Sequence, residues 1–451
     1  MPFDNEFATG ESLDSLQRSP AFKDFKGTIR TRHGVAPDLP RKLAPVRNEW
    51  RPQRVIAIDG STVTAPVQNG FPIAEASLMK VAVLSIDIAA LLDSPADAIP
   101  HPAIFYEMEK ASTFDSVLPG ANIVREGVTE DTPRRFFRHS VAQVFEGKLD
   151  QGFETLMETA RNIVGARSVS RPPMCPVEDC IEPLSLGLNE YTCRCSRAEK
   201  LFETDAFRFS ERFNDVASNG EAHGEVRHVV EVISLFNMLR FFASDKKGLS
   251  YLKSNVFVLD GPLALFGHPA WLAPYLRAEL QRINGLCLEH GFELAVFGFE
   301  KSGAFVEHFE QLDHDPQSGP RARFEPGTVF SLDADYINRN ITMRPPGSKP
   351  HGQDTYFGRK LFYKTRAGEH AVITTAMTNN ASLDFGRCDA ACYTRLGDVL
   401  NVLDVLATYL YRDGFMPLVR ANAHAAIPLK RGSDLIQGLF GKGAPMVGVS
   451  S

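Results

Sequence analysis

The sequence lacks an apolar stretch long enough to cross a membrane. Its most apolar run, residues 77–92, contains Lys80 and Asp87 and is shorter than the roughly 20 apolar residues that a bilayer span needs. The polar stretch from Met1 to Pro20 also lacks the apolar core of a signal peptide. We therefore expect a cytoplasmic protein without a membrane partner.

An excess of positive charge is also absent, as are internal repeats and a GxxxxGK[ST] phosphate loop. The formal net charge of −6 over 451 residues excludes a uniformly basic nucleic-acid coat but is compatible with a basic channel. Without the phosphate loop, an ATP-driven motor must be another chain. An actin-like ATPase loop is set aside too, because the DGS at 59–61 lacks the residue that such a loop has between Asp and Gly.

The pattern of apolar residues predicts an α/β core with an insertion. Strands are predicted at residues 54–59, 77–92, 255–260, 292–300, 328–337, 360–365 and 370–377. Helices are predicted at residues 132–164, 222–243, 272–291 and 396–414. The length suggests roughly two to four domains. We predict an N-terminal extension at 1–50, core parts at 51–170 and 201–440, an insertion at 171–200 and a tail at 441–451.

Two predicted strands run directly into an Asp-Gly dipeptide, at Asp59 and at Asp260. If these strands are neighbours in one sheet, the two carboxylates repel each other unless a cation lies between them. Hard oxygen ligands of this kind are what Mg²⁺ or Mn²⁺ prefers. In the alternative interpretation each aspartate only begins a turn, since Asp-Gly is a common turn dipeptide.

A third acid, Glu231, lies in the predicted helix among valine and isoleucine neighbours. A carboxylate in such apolar surroundings contacts a partner or becomes neutral. The alternative is a simple ion pair with Arg227, one turn earlier. Glu225 competes for the same role, but its neighbours are polar. Acids from a first strand, a helix and a later strand are typical of RNase H-type metal-dependent nucleases.

Four segments together resemble the motifs of the NurA family, the DNA-end-processing nucleases that work with the HerA hexameric translocase. They are AIDGS at 57–61, VLDG at 258–261, FGFEKSG at 297–303 and MPLVRANAHAAI at 416–427. The order of the motifs agrees over roughly residues 50–440, with the cysteine segment as an insertion.

The resemblance implies an α/β fold of the RNase H-like (PIWI-like) type, with a mixed sheet flanked by helices. It also implies a homodimer that forms a channel for DNA and works with a HerA-like hexameric ATPase in DNA repair or antiviral defence. The implied activity is Mn²⁺- or Mg²⁺-dependent cleavage of DNA ends and single strands by a two-metal mechanism. In the alternative, the chain is a catalytically impaired DNA-binding adaptor of a translocase.

Position by position, the resemblance assigns metal binding and catalysis to Asp59, Glu231 and Asp260. His424 matches the family's C-terminal histidine, which binds metal or positions the scissile phosphate. The sequence departs from the family at Met416, where a tyrosine is usual, so a tyrosine role is lost or passes to another residue such as Tyr411.

Basic residues near these motifs are candidates for DNA contacts. Lys301, Arg359 and Lys360 could contact phosphates, or they could be ordinary surface charges. Neither interpretation is favoured by the sequence.

Four of the seven cysteines are clustered, as Cys175, Cys180, Cys193 and Cys195. Two close pairs separated by a hairpin-length spacer suit tetrahedral Zn²⁺ bound by four thiolates. A closed site of this kind leaves no open coordination position, so we predict a structural zinc that folds the insertion. The alternative is four unliganded thiols in a polar loop.

Overall fold

The structure is a computed structural model of the chain. It describes residues 10–29, 39–47, 50–67, 72–88, 109–128, 131–165, 175, 180, 182–184, 190–195, 200–314, 323–377, 389–408 and 414–440. The predicted tail at 441–451 lies outside the described residues, as does much of the insertion.

Helices and strands alternate along the described parts of the chain. The helices are α1 (Gly10–Arg18), α2 (Pro20–Thr28), α3 (Pro133–Phe145), α4 (Leu156–Val164), α5 (Gly220–Phe242), α6 (Lys246–Ser254), α7 (Ala273–Glu289), α8 (Ala304–Asp313), α9 (Ala334–Asn340), α10 (Leu396–Leu406), α11 (Met416–Ala425) and α12 (Leu429–Phe440). The strands are β1 (Arg41–Leu43), β2 (Arg54–Pro66), β3 (Glu75–Asp87), β4 (Glu109–Pro119), β5 (Glu190–Thr192), β6 (Lys200–Phe202), β7 (Asn255–Asp260), β8 (Val296–Glu300), β9 (Val329–Ser331), β10 (Arg359–Lys364), β11 (His370–Thr375), β12 (Ala407–Thr408) and β13 (Gly414–Phe415). A membrane-spanning helix is not found among these elements, none of which combines the needed length and apolarity.

The chain divides into two compact units, Met1–Leu39 and Pro40–Ser451. The described part of the first unit consists of α1 and α2, and the Ser19 side chain caps α2 by accepting a hydrogen bond from the Phe22 amide. The second unit contains all other described elements. The predicted domain boundaries within it stay predictions.

One nine-stranded mixed sheet forms the centre of the second unit, in the order β1-β9-β10-β11-β8-β7-β2-β3-β4. β2, β7 and β8 are parallel to one another, while β2, β3 and β4 form an antiparallel meander. Three antiparallel strands followed by two parallel ones are the arrangement of an RNase H-like core. The predicted α/β fold with a mixed sheet is therefore confirmed.

Helices cover both faces of this sheet, because alternate side chains of its strands are apolar on each side. On one face Ile56 and Ile58 of β2 pack in a core with α5. On the other face Val55 and Ala57 pack in a core with α10 and α11. The central strand β2 is therefore buried on both sides, which fixes its register.

The structure corrects the predicted end of the first strand. We expected β2 to stop at Asp59, with a turn at Gly60 and Ser61. Instead β2 continues to Pro66, because residues 59–66 pair antiparallel with β3. Tertiary pairing thus overrides the local turn preference of Gly and Ser.

Two other predicted elements are divided in the structure. The predicted helix at 132–164 consists of α3 and α4, and α4 starts at a capping box formed by Thr155 and Glu158. The predicted strand at 328–337 is β9 followed by α9, which begins where Asp333 accepts a hydrogen bond from the Tyr336 amide. In both cases a side-chain cap starts a helix that the apolar pattern alone did not locate.

Candidate active site

Asp59 and Asp260 lie side by side on neighbouring parallel strands. The last register pair that β2 and β7 share is Ile58 with Leu259, so the two aspartates are the next residue of each strand. Beyond this pair the strands separate, because Gly261 adopts a positive φ of 97° and its amide donates to the Phe299 carbonyl of β8. The two carboxylates therefore meet where the sheet divides.

Asp59 is almost completely buried, with 3% of its surface exposed. Its Oδ1 accepts a hydrogen bond from the Gly60 amide at 2.7 Å, whereas its Oδ2 has no hydrogen-bond partner among the described residues. The pKa of Asp59 is raised to about 8, first by burial and next by the charge of Asp260. An acidic group in this environment is short of positive partners.

Lys301 supplies one positive charge between these aspartates. It follows β8 directly, and its ammonium lies 2.9 Å from Asp260 Oδ2 and 3.9 Å from Asp59 Oδ2. The ammonium lowers the pKa of Asp59, but burial and the neighbouring acids outweigh it. Three adjacent parallel strands thus each contribute one charged group to the same place.

Glu231 approaches the same place from the other face of the sheet. It is 2% exposed on α5, and its charge adds a smaller upward shift to the pKa of Asp59. Gly60 makes this approach possible, because a Cβ at Gly60 would collide with a Glu231 carboxylate oxygen. The structure therefore brings the three predicted acids together, while their catalytic role stays a prediction.

Two basic residues of α5 hold the Glu231 carboxylate. Arg227 Nη1 donates to Glu231 Oε1 at 2.6 Å and also to the Gly60 carbonyl at 2.7 Å. His228 Nδ1 lies 3.4 Å from the other carboxylate oxygen. The predicted alternative of an Arg227 ion pair is thus present together with the approach to Asp59. Sequence reasoning missed His228 and Gly60, although the i, i+3 spacing of His228 and Glu231 was a usable signal.

The other predicted site residues differ in their surroundings. His424 is half-buried in the last turn of α11, a helix that packs on β2 and β3. Lys360 is buried in β10, where it forms an ion pair with Glu300 and lies 3.7 Å from the centre of the Phe305 ring. Arg359 is buried as well, with 7% exposed. Lys301 is thus the most exposed of the three basic residues, and the phosphate contacts of all three stay predictions.

The four clustered cysteines form a second site. Their Sγ atoms all lie within 4.8 Å of one another, and among the described residues this is the one group of three or more Cys, His, Asp or Glu at metal-ligand spacing. None of the four thiols forms a disulfide bond. Four thiolates at this spacing could hold a metal ion, as the sequence predicted.

Neighbouring polar contacts attach this cluster to the core. β5 and β6 pair as an antiparallel ribbon beside the cysteines. Just after β6, Asp205 forms a buried two-bond ion pair with Arg138 of α3, at 2.8 and 2.6 Å. Trp271 packs against the cluster and donates its indole N–H to the Ala206 carbonyl. The chain that follows the cysteine segment is therefore anchored to the core.

The acidic site has the chemistry of a divalent metal site, although its acids are not at metal-ligand spacing. Asp59 Oδ2 is a buried oxygen without a hydrogen bond, and carboxylate oxygens are the ligands that Mg²⁺ and Mn²⁺ prefer. Burial, followed by the charge of Asp260, raises the pKa of Asp59, so a cation bound here would favour its ionised form. These residues fit a metal ion that would neutralise them.

The chain was compared with known proteins. No family model matches it, and no curated protein matches it. Among solved structures it is similar to the crystal structure of the NurA nuclease from Sulfolobus solfataricus, with 11% sequence identity and a TM-score of 0.34. The match covers 96% of this chain and 97% of that chain. This is the family whose motifs the sequence resembles, and activity is inferred below from the site itself.

Proposed function

We propose that this protein is a metal-dependent DNA nuclease that hydrolyses phosphodiesters at DNA ends and in single strands. The observation that carries the proposal is the convergence of Asp59, Asp260 and Glu231 at the point where the sheet divides. In open α/β sheets, ligands bind at the carboxyl ends of the parallel strands. The unpartnered, buried oxygen of Asp59 supports a cation as the missing partner.

In the proposed reaction, Asp59, Asp260 and Glu231 hold Mn²⁺ or Mg²⁺ in a two-metal carboxylate site. When bound, the metal supplies Lewis-acid stabilisation of the charge that develops on the phosphate and activates the attacking water. Arg227 and His228 orient the Glu231 carboxylate, since both contact its oxygens. Lys301 and His424 are proposed to contact or position the scissile phosphate.

We further propose that the cysteine cluster binds one structural Zn²⁺. The ligand spacing of its four thiols supports this, because four cysteine ligands complete a tetrahedral zinc site and leave no position for substrate. A homodimer and a HerA-like ATPase partner are proposed from the motif resemblance alone.

A second candidate function is a DNA-binding adaptor with impaired catalysis. The contact that favours it is the ion pair of Lys301 with Asp260, which places a fixed positive charge in the expected metal position. If the Lys301 ammonium always stays on the carboxylates, the acids cannot bind metal. The protein would then bind DNA without cleaving it.

One experiment separates the two functions. Purified protein is incubated with end-labelled linear and single-stranded DNA, with Mn²⁺, with Mg²⁺ and with chelator. The nuclease predicts cleavage that requires metal and disappears in Asp59→Asn. DNA binding without cleavage under every metal condition, including with a hexameric translocase added, would support the adaptor.

A further inference from the structure

Lys301 stands out as a charged residue that the proposed chemistry does not fully explain. Its side chain is 29% exposed and lies against two aspartate side chains that are 5% and 24% exposed. The Lys301 side chain is therefore partly open to solvent, while its ammonium hydrogen-bonds Asp260 and lies near Asp59. These are two of the carboxylates that would hold the metal.

An ammonium and a divalent ion compete for these carboxylate oxygens. Metal–oxygen bonds of about 2.0–2.1 Å, as for Mg²⁺, would bring the ion within a few ångströms of an ammonium that stays 2.9 Å from Asp260 Oδ2. Two positive charges at that separation repel each other strongly in a partly buried site. Binding of either cation is therefore expected to weaken binding of the other.

The other cation of the site is held differently. Arg227 is fixed by the Glu231 carboxylate and also by the Gly60 backbone carbonyl. Lys301 has no such backbone contact among the described residues, and its flexible side chain ends at the solvent-facing side of the acids. Lys301 is therefore the cation that can move.

We propose that Lys301 is an internal counter-ion that a divalent metal displaces, and that the released ammonium then binds a phosphate of the substrate. This inference rests on the proposed function, because it requires that the acidic site binds metal. Since the same ammonium serves both sites, metal binding and DNA binding strengthen each other by the same factor. The ammonium thus offsets part of the negative charge without substrate, and the site loads with metal when DNA is present.

The test measures Mn²⁺ affinity directly, from the loss of the free Mn²⁺ signal in electron paramagnetic resonance. The full chain is first saturated with Zn²⁺ so that the cysteines are occupied. Removing the charge in Lys301→Met should tighten Mn²⁺ binding by about 10-fold, within the usual size of coupling between two sites. A single-stranded phosphorothioate oligonucleotide should tighten Mn²⁺ binding in the unchanged protein but not in Lys301→Met.

Two control variants keep the result interpretable. Lys349→Met removes a lysine that pairs with Asp354 away from the acids and should leave Mn²⁺ affinity unchanged. Lys301→Arg keeps the charge and should retain the original affinity, which guards against a folding defect in Lys301→Met. Equal or weaker Mn²⁺ binding in a folded Lys301→Met would overturn the inference.

The inference and the proposed function fail in different ways. If the unchanged protein and Asp59→Asn bind Mn²⁺ equally, the acidic site holds no metal and the proposed function is wrong. If Asp59→Asn loses Mn²⁺ but the oligonucleotide tightens binding equally in Lys301→Met, the function stands and only the coupling through Lys301 is refuted.

Discussion

The acidic site and the cysteine cluster are two candidate metal sites that differ in construction. The cysteines come from a stretch of 21 residues, 175–195, and their sulfur atoms already lie within 4.8 Å of one another. The acids come from β2, α5 and β7, and the structure supplies them with internal cations, Lys301 and Arg227. The cysteine sulfurs are already at metal-ligand spacing, whereas the acids are paired with cations of the protein itself.

This difference indicates different tasks. A closed four-sulfur site stabilises structure and excludes substrate. The acidic site, whose charges are paired with the protein's own cations, is the one proposed to exchange its partner.

Removing two thiolates should have the largest effect. Cys193→Ser with Cys195→Ser should abolish binding of about one Zn²⁺ per chain, because structural zinc contributes on the order of 10 kcal/mol to local folding. Metal analysis and limited proteolysis of the 175–202 segment measure this. Cys392→Ser, outside the cluster, is the control. Unchanged zinc content in the double variant would show that the cysteines are unliganded.

Neutralising the buried aspartate should affect activity but not the fold. Asp59→Asn should reduce cleavage by roughly 10²–10³-fold, the scale of losing one group that stabilises transition-state charge. Its melting temperature should be unchanged or higher, because the raised pKa of Asp59 shows that its ionised form is unfavourable in the folded state. Asp115→Asn on β4, largely exposed, is the matched control. Full cleavage by Asp59→Asn would remove this residue from the site.

The helix that carries Glu231 should be sensitive to acid even when both sites are free of metal. His223 of α5 is fully buried between Ser77 Oγ and the Pro119 carbonyl, and burial lowers its pKa to about 4. Unfolded histidine titrates near 6.5, so unfolding takes up a proton between these values. The free energy of unfolding should therefore fall by about 3 kcal/mol from pH 6.5 to pH 4.

Denaturant titrations in chelator at several pH values measure this fall. His223→Gln should be less stable at neutral pH but should lack this part of the pH dependence. His290→Gln, at an exposed position, should keep it. An identical slope in His223→Gln would assign the acid sensitivity to other groups.

The smallest effect is expected from a Cβ added at Gly60, where the absence of a side chain leaves room for the Glu231 carboxylate. Gly60→Ala should displace the Glu231 carboxylate and lower cleavage by on the order of 10-fold, since misplacement of a catalytic group is costly. Gly224→Ala, on α5 with open space at its Cβ, is the control and should be slightly stabilising. Equal activities in the two variants would show that Glu231 can move without consequence.

The cysteine site could be predicted from spacing alone, because its ligands are local in sequence. The acidic site could be predicted only as a set of acids, since their meeting depends on the pairing of β2 with β7 and on the position of α5. The two aspartates were found because each follows an apolar strand. Of the two basic partners of Glu231, the sequence predicted Arg227, which lies one turn away on the same helix, but not His228.

The errors have a common physical cause, which is that tertiary pairing overrides local preference. Gly60 and Ser61 suggested a turn, but a long antiparallel partner keeps them in β2. Of the two interpretations left open for Lys360, an ordinary surface charge is excluded, because Glu300 on a neighbouring part of the sheet pairs with it inside the protein. β4 was not predicted, because its sequence, EKASTFDSVLP, is too polar to stand out as a strand.

Where β2 and β7 separate, the backbone groups of Gly60 determine whether another strand can pair there. Beyond Ile58, the Gly60 amide is taken by the Asp59 carboxylate and the Gly60 carbonyl by Arg227. An exposed strand edge normally invites another strand to add to it, but at Gly60 both backbone groups are already satisfied. The hydrogen bonds of Gly60 therefore keep β2 and β7 apart beyond Ile58. A molecule that binds between these strands would be recognised by its charge and not by strand pairing.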